Sequence, residues 1–145
     1  MPTINIYLTF EGNCEQAFNF YQSVFGGEFA SLSRFGEMPP QDGMPPIPDE
    51  MKDLLMHVSL PISKETILMG SDTGGEWGKD YSRGTNFSIS VSADSKEETE
   101  KIFAGLSADG NVTMPLADTF WGSYFGTVTD QFGINWMVGY DEASH

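Results

Sequence analysis

The chain has 145 residues, 21 of them Asp or Glu and 7 Lys or Arg, which gives a formal net charge of −14 with the two histidines neutral. Nucleic acids and anionic membrane surfaces are bound through clustered basic residues, and the basic residues here are scattered, so we expect neither partner. Hydrophobic residues make up 39% of the chain, enough for one globular core. The absence of a long apolar run and the single cysteine, Cys14, favour a cytoplasmic protein without disulfides.

The first elements in chain order are a strand and a helix. Residues 4–10 alternate between apolar and polar side chains, which predicts a half-buried strand. Asn13 and Gln16 have the spacing of a capping box, and apolar residues then recur at helical intervals until Gly26 and Gly27. A helix of about three turns is therefore expected directly after the first strand.

Three further strands are predicted at residues 28–35, 54–60 and 66–71, and then the order of elements repeats. Residues 86–91 alternate, Ser95 and Glu98 form a second capping box, Gly110 ends the second helix, and strands follow at 112–117, 124–129 and 135–140. The fold class expected is α+β, with two βαβββ modules. We expect one domain over residues 1–145, with modules at about 1–74 and 84–142 joined by a Gly-rich linker.

The strand faces that the helices do not cover are polar. They carry Asn5, Tyr7 and Thr9 in the first module and Asn86, Ser88 and Ser90 in the second. Such regular polar faces fit a wet pocket between curled sheets, and they equally fit a surface that simply faces solvent.

Two other segments call for an interpretation. Residues 38–50 contain five prolines, which exclude helix and central strand and predict a long loop. That loop is a lid, a dimer contact or a surface insertion. Trp77 lies in the Gly-rich linker, where we expect it to fill a pocket or an interface.

Three segments of the chain, 7–17, 35–39 and 120–137, resemble the PhnB-like branch of the vicinal oxygen chelate superfamily. This superfamily contains glyoxalase I, bleomycin resistance proteins and extradiol dioxygenases. The most specific part is the Asp-x-Phe-Gly-x-x-Trp-Met sequence that begins at Asp130. The resemblance implies paired βαβββ modules that form a U-shaped, mostly antiparallel sheet around a cavity, commonly in a homodimer.

The resemblance also implies where a metal would bind. Metal-dependent members place one ligand on the first strand and one on the last strand of each module, usually His, Gln or Glu. The matching positions here hold Asn5 and Asn86, and Leu68 or Met69 and Met137. Amide oxygens and apolar side chains are poor ligands for a catalytic divalent ion, so we predict no metal and no other cofactor.

One histidine and one cysteine could carry chemistry. His57 lies between Met56 and Val58 in a predicted strand and should point to the polar side, where it could act as a general base or bind a metal together with Asp72 or Glu37. The alternative is a structural imidazole. Cys14, at the start of the first helix, is a buried apolar residue or a reactive thiolate.

These observations favour a cytoplasmic, homodimeric protein that binds a small molecule of unknown identity. The predicted pocket residues are Asn5, Tyr7, His57, Asn86, Ser88, Trp121 and Met137. The main alternative is a metal-dependent lyase, isomerase or dioxygenase that uses His57 on a small oxygenated substrate, so whether the protein is an enzyme stays open. A weaker alternative is a pure interaction role of the acidic surface. Most acidic residues lie outside the predicted pocket, which argues against a strongly anionic ligand.

Overall fold

The computed structural model describes residues 2–37, 43, 46–74 and 78–141. The chain divides into two compact units, Met1–Tyr81 and Ser82–His145. Trp77 and most of the proline-rich segment lie outside the described residues. Across the described ranges, no helix has both the length and the apolar character needed to cross a bilayer.

The first unit is a four-stranded sheet with one helix. Its elements are β1 (Ile6–Phe10), α1 (Cys14–Phe25), β2 (Ser31–Arg34), β3 (Leu55–Pro61) and β4 (Ile67–Asp72). The strand order is β1-β4-β3-β2, in which β1 runs parallel to β4 and the other pairs are antiparallel. Short 3-10 turns at Phe35–Glu37 and Asp49–Met51 lie between β2 and β3.

The second unit repeats this order. Its elements are β5 (Ile89–Ser92), α2 (Lys96–Ser107), β6 (Asn111–Asp118), β7 (Ser123–Thr129) and β8 (Asn135–Asp141). The strand order is β5-β8-β7-β6, and β5 is parallel to β8 as β1 is to β4. The predicted α+β fold with two βαβββ modules is confirmed.

In each unit, a helix packs against one face of the sheet above a glycine. A methyl group placed on Gly70 of β4 would lie 2.6 Å from Cε1 of Phe18 in α1. One placed on Gly126 of β7 would lie 2.9 Å from Cε2 of Phe103 in α2. Because successive strand residues point to opposite faces, these two contacts identify which side chains face the helix and which face away from it.

Several predicted boundaries differ from the structure. The strand predicted at 86–91 begins at Ile89, and Asn86 and Ser88 precede it as exposed residues. Phe87 is 58% exposed, so the alternation there does not reflect burial in the sheet.

The exclusion of helix from residues 38–50 was wrong at the end of that segment, where the 3-10 turn Asp49–Met51 follows Pro48. The Pro48 carbonyl accepts a hydrogen bond from Met51 N at 3.0 Å. Proline is compatible with the position just before a helical turn.

The two predicted capping boxes have different outcomes. Ser95 Oγ accepts a hydrogen bond from Glu98 N at 3.1 Å, which confirms the cap of α2, while Glu98 Oε1 accepts one from Asp94 N at 3.0 Å. Asn13 is the N-cap residue of α1 but makes no side-chain capping bond, so that prediction was wrong. The start of α1 is capped by a residue from another element instead.

Candidate functional site

His57 lies on the face of the first sheet that points away from α1. Gly70 faces Phe18, and Val58 pairs with Gly70, so the neighbouring His57 points to the opposite side. We call this the polar face of unit 1, and the strand register places on it Tyr7, Thr9, Ser31, Ser33, His57, Ser59, Met69 and Ser71.

The imidazole of His57 has an aromatic neighbour on this face. The ring centroids of His57 and Tyr7 are 5.9 Å apart with an interplanar angle of 31°. His57 is half-buried and Tyr7 is 49% exposed, so both rings can be reached from solvent. Ser31 Oγ and Ser59 Oγ are hydrogen-bonded at 2.8 Å nearby. The polar face of unit 1 therefore offers an imidazole, a phenol and hydroxyl groups, and the strand residues placed on it above include no carboxylate.

Asp72 does not join His57 in a site. It pairs with Phe10 in the strand register and is 4% exposed, on the face that packs against α1. Its Oδ1 accepts hydrogen bonds from Gly12 N at 3.0 Å and Cys14 N at 2.9 Å, and its Oδ2 accepts one from Leu55 N at 2.9 Å. The suggested pairing of Asp72 with His57 was wrong, because this carboxylate caps α1 and holds the start of β3.

Glu37 does not complete a metal site either. It is exposed in the turn after β2, where its Oε2 lies 3.5 Å from Arg34 N. Over the residues that the structure describes, no group of three His, Cys, Asp or Glu side chains could hold a metal ion. The metal or acid–base site suggested for His57 with Asp72 or Glu37 thus lacks the ligands that it requires among these residues.

Cys14 is buried rather than reactive. Its side chain is fully buried at the start of α1. Burial raises the pKa of the Cys14 thiol far above its ordinary value, and the carboxylates of Asp72 and Glu15 raise it further. The suggestion of a reactive thiolate was therefore wrong, and the alternative of a buried apolar residue is confirmed.

Arg34 forms a bidentate ion pair that joins β2 to α1. Its Nη1 and Nη2 donate to Glu15 Oε1 and Oε2 at 3.0 and 2.8 Å, and Nη1 also donates to the Asp53 carbonyl at 2.8 Å. The hydrogen bond from Arg34 lowers the pKa of Glu15. These contacts make Arg34 a structural cation.

The first strand of each module was expected to supply metal-ligand positions. Asn5 precedes β1, and its Oδ1 accepts a hydrogen bond from Ile67 N at 3.0 Å, so its amide extends the pairing of β1 with β4. Asn86 and Ser88 are exposed before β5.

The other predicted residues are on the last strands and the β6–β7 turn. Met69 is on the polar face of unit 1, whereas Leu68 is buried toward α1. Met137 is half-buried on the face of β8 that points away from α2, where it pairs with Ser90 and Thr127. Trp121 is 56% exposed in the β6–β7 turn.

The Asp-x-Phe-Gly-x-x-Trp segment forms the turn between β7 and β8. Asp130 Oδ1 accepts hydrogen bonds from Phe132 N at 2.8 Å and Ile134 N at 3.1 Å, and its Oδ2 accepts one from Trp136 Nε1 at 2.8 Å. Asp130 is 3% exposed, and Gly133 has a φ of +88°, which favours glycine. The motif that carries the resemblance is thus built into the fold of unit 2.

Unit 2 also contains a groove of about 310 Å³. Because Gly126 faces Phe103 of α2 and pairs with Val138, the neighbouring Gly139 in the groove lining lies on the opposite sheet face. The described lining of the groove comprises Ser90, Val91, Ser92, Ala93, Ser123, Phe125, Gly139, Tyr140 and Asp141. None of the seven predicted pocket residues is among them. The polar alternation of β5 continues through Ser92, and this signal could have extended the predicted site toward the groove.

Comparison with known proteins agrees with this architecture. Residues 3–138 match the family model of the Glyoxalase/Bleomycin resistance protein/Dioxygenase superfamily. The chain is 35% identical to protein YjdN of Escherichia coli (strain K12) over 143 residues, which cover 95% of this chain and 94% of that protein.

Two solved structures are also similar. Protein PA1353 from Pseudomonas aeruginosa is 38% identical with a TM-score of 0.83, over 97% of this chain and 98% of that one. A protein from Bacillus cereus described as a putative 3-demethylubiquinone-9 3-methyltransferase, PhnB protein, is 26% identical with a TM-score of 0.75, over 96% and 99%. The repeated βαβββ units and these matches together show that the chain belongs to the glyoxalase/bleomycin resistance protein/dioxygenase superfamily, with PhnB-like relatives.

Proposed function

We propose that this protein binds a small molecule without a catalytic metal ion. The observation that carries the proposal is the chemistry of the four positions at which metal-dependent relatives would be expected to supply ligands. These positions hold Asn5, Asn86, Met137 and either Leu68 or Met69. Amide and thioether groups do not provide the carboxylate and imidazole ligands that hold hard or borderline divalent ions.

The surroundings of these positions support the same proposal. The Asn5 amide oxygen is engaged with Ile67 N, and the Asp72 carboxylate is engaged with three backbone N–H groups on the other face of the sheet. The donor set of the described residues does not fit a metal ion, so the proposed function includes no metal-dependent step. The residues proposed to bind the ligand remain Asn5, Tyr7 and His57 in unit 1 and Asn86, Ser88, Trp121 and Met137 in unit 2.

The protein is further proposed to act as a homodimer in the cytoplasm. Exposed apolar side chains on β6 and its following turn support self-association, since Met114 is 48% and Phe120 is 97% exposed. Light scattering after size-exclusion chromatography tests this part, and a mass of one chain, about 16.0 kDa, would contradict it.

A second candidate function is an enzyme that uses His57 as a general base. The observation that favours it is the half-buried His57 imidazole beside the Tyr7 ring on an accessible polar face. The methyltransferase name carried by the Bacillus cereus relative is not proposed for this chain. The fold of this chain is not the doubly wound α/β type, and its sequence has no Gly-rich strand-to-helix turn of the kind that holds nucleotide-like cofactors.

Elemental analysis of protein purified without chelators tests the proposal. Only traces of Zn, Ni, Mn and Fe are expected, and native mass spectrometry should show a small organic ligand or a free chain that accepts one. A stoichiometric transition metal would overturn the proposal. For the enzyme alternative, a turnover that is lost in His57→Ala and kept in Lys64→Ala, an exposed control in the same unit, would favour catalysis.

A further inference from the structure

We propose that the groove of unit 2 binds a small organic cation, namely a protonated amine carried on an apolar or aromatic body. This inference rests on the proposed function, because it names the chemical class of the small molecule, and it adds the groove, which none of the seven proposed binding residues lines, as the place that holds it. Four features of the groove favour such a ligand: its floor, its charge, its hydroxyl groups and its rings.

The floor of the groove is the backbone of β8 at Gly139. In the strand register Gly139 lies between Ser92 of β5 and Phe125 of β7. A methyl group on Gly139 would lie 3.4 Å from Cδ2 of Phe125, so the phenyl ring leans over this position. The missing side chain therefore leaves a depression that has a ring on one side and a hydroxyl on the other.

The charge of the groove comes from Asp141. This residue ends β8 and pairs with Ser123. Among the described lining residues, Asp141 is the one charged side chain, and none is Lys, Arg or His. An ammonium group would be attracted to that carboxylate, whereas an anionic ligand would be repelled by it. The net charge of −14 adds a general attraction for cations.

Three hydroxyl groups supplement the carboxylate. Ser90, Ser92 and Ser123 all line the groove. An alkylammonium group has three N–H donors, and serine oxygens together with a carboxylate supply acceptors for them. A neutral alcohol could bond to the same serines, but it would not use the charge of Asp141.

Aromatic rings extend from the groove to the β6–β7 turn. The Phe125 ring centroid lies 6.2 Å from that of Trp121 at an interplanar angle of 63°. Trp121 in turn lies 5.0 Å from Phe120 at 88°. Phe125 is half-buried at the groove, while Trp121 is more than half exposed. These rings can pack against the apolar body of a ligand and attract its positive charge through their faces.

The test compares three probes that share one ring, namely benzylammonium, benzyl alcohol and benzoate. The full chain labelled with ¹⁵N is titrated with each, and backbone resonances are followed. Benzylammonium is expected to shift the resonances of Ser92, Gly139 and Asp141 saturably. Benzyl alcohol is expected to bind at least about tenfold more weakly, and benzoate is expected not to bind. Equal binding of all three probes, no binding of benzylammonium, or shifts scattered over the acidic surface would overturn the inference.

Two variants with the same change in net charge separate a local effect from a general one. Asp141→Asn is expected to weaken benzylammonium binding about tenfold. Glu65→Gln, an exposed position in unit 1, is expected to leave it unchanged. Equal losses in both variants would overturn the inference.

The failure of this inference and that of the proposed function can be distinguished. Benzyl alcohol binding in the groove as tightly as benzylammonium would overturn the cation class but leave metal-free binding of a small molecule standing. A stoichiometric metal ion would overturn the proposed function, whereas the inference would still be decided by the three titrations.

Discussion

The Asp72 carboxylate accepts a hydrogen bond from the backbone N–H of Cys14 at 2.9 Å, across 58 residues of sequence. The same carboxylate also binds Gly12 N and Leu55 N. A helix N-terminus exposes several unpaired N–H groups and carries partial positive charge, so a buried carboxylate stabilises it by both hydrogen bonding and charge. The relationship makes Asp72 a residue of the fold of unit 1.

Asp72→Asn is expected to lower the free energy of unfolding by about 2–4 kcal/mol, because an amide loses the charge and presents an N–H group where an acceptor is needed. Urea denaturation followed by circular dichroism measures this loss. Asp49→Asn is the control, since the Asp49 side chain is 93% exposed and should change little. An Asp72→Asn variant as stable as the parent would contradict the assigned role.

The N-caps of the two helices should respond differently to alanine. Ser95→Ala removes the hydrogen bond to Glu98 N and is expected to cost about 1 kcal/mol. Asn13→Ala removes no side-chain cap bond and should cost clearly less. Thermal denaturation of the two variants, run in parallel, checks this order, and a larger loss in Asn13→Ala would refute it.

Gly70→Ala is expected to destabilise the protein by about 1–3 kcal/mol, because its methyl group would lie 2.6 Å from the Phe18 ring and 2.9 Å from the Leu8 carbonyl oxygen. Gly74→Ala is the matched control, since the nearest atom to its methyl group would be Met51 Cε at 3.9 Å. Chemical denaturation of both variants tests the contact. Equal stability of the two would show that α1 does not press on β4 as described.

Cys14 should make stability fall at alkaline pH. Its pKa is raised in the folded chain, so the folded state keeps a proton that the unfolded state releases above an ordinary thiol pKa of about 8.5. The contribution of Cys14 to the free energy of unfolding is therefore complete below a pH of about 8.5 and decreases as the pH rises above that value. Unfolding free energies measured between neutral pH and about pH 10 should fall less in Cys14→Ala than in the parent.

Thiol labelling gives an independent measure of the same burial. A disulfide reagent such as dithionitrobenzoate should label Cys14 slowly in the native chain and rapidly in denaturant, because only the exposed thiolate reacts. Fast labelling without denaturant would be inconsistent with a fully buried thiol.

The repeated order of elements was predictable because alternation of apolar residues and helical periodicity are local properties. They located the eight strands and two α-helices found in the described part of the chain, although β5 begins three residues later than predicted. The placement of His57 with Ser59 on one face likewise follows from the alternation of β3. Local patterns were therefore sufficient to predict the order of the strands and helices and the face of β3 on which His57 lies.

The role of Asp72 could not be predicted from local spacing. Asn13 and Ser95 begin segments with the same capping-box spacing, yet α1 is capped by a carboxylate from β4, which only the strand register brings close. One signal was available, since Leu68, Gly70 and Asp72 occupy alternate positions and share the buried face. The groove at Gly139 was missed for a similar reason, because its walls come from three strands whose register is not encoded locally.

The cap of α1 also has a consequence for synthesis on the ribosome. The acceptor for Glu98 N is Ser95, three residues before it, so α2 can be capped as soon as its first turn exists. The acceptor for Gly12 N and Cys14 N is made about 60 residues after the helix begins. During translation α1 therefore cannot receive this cap until Asp72 has left the exit tunnel, and until then its first N–H groups have only water as a partner.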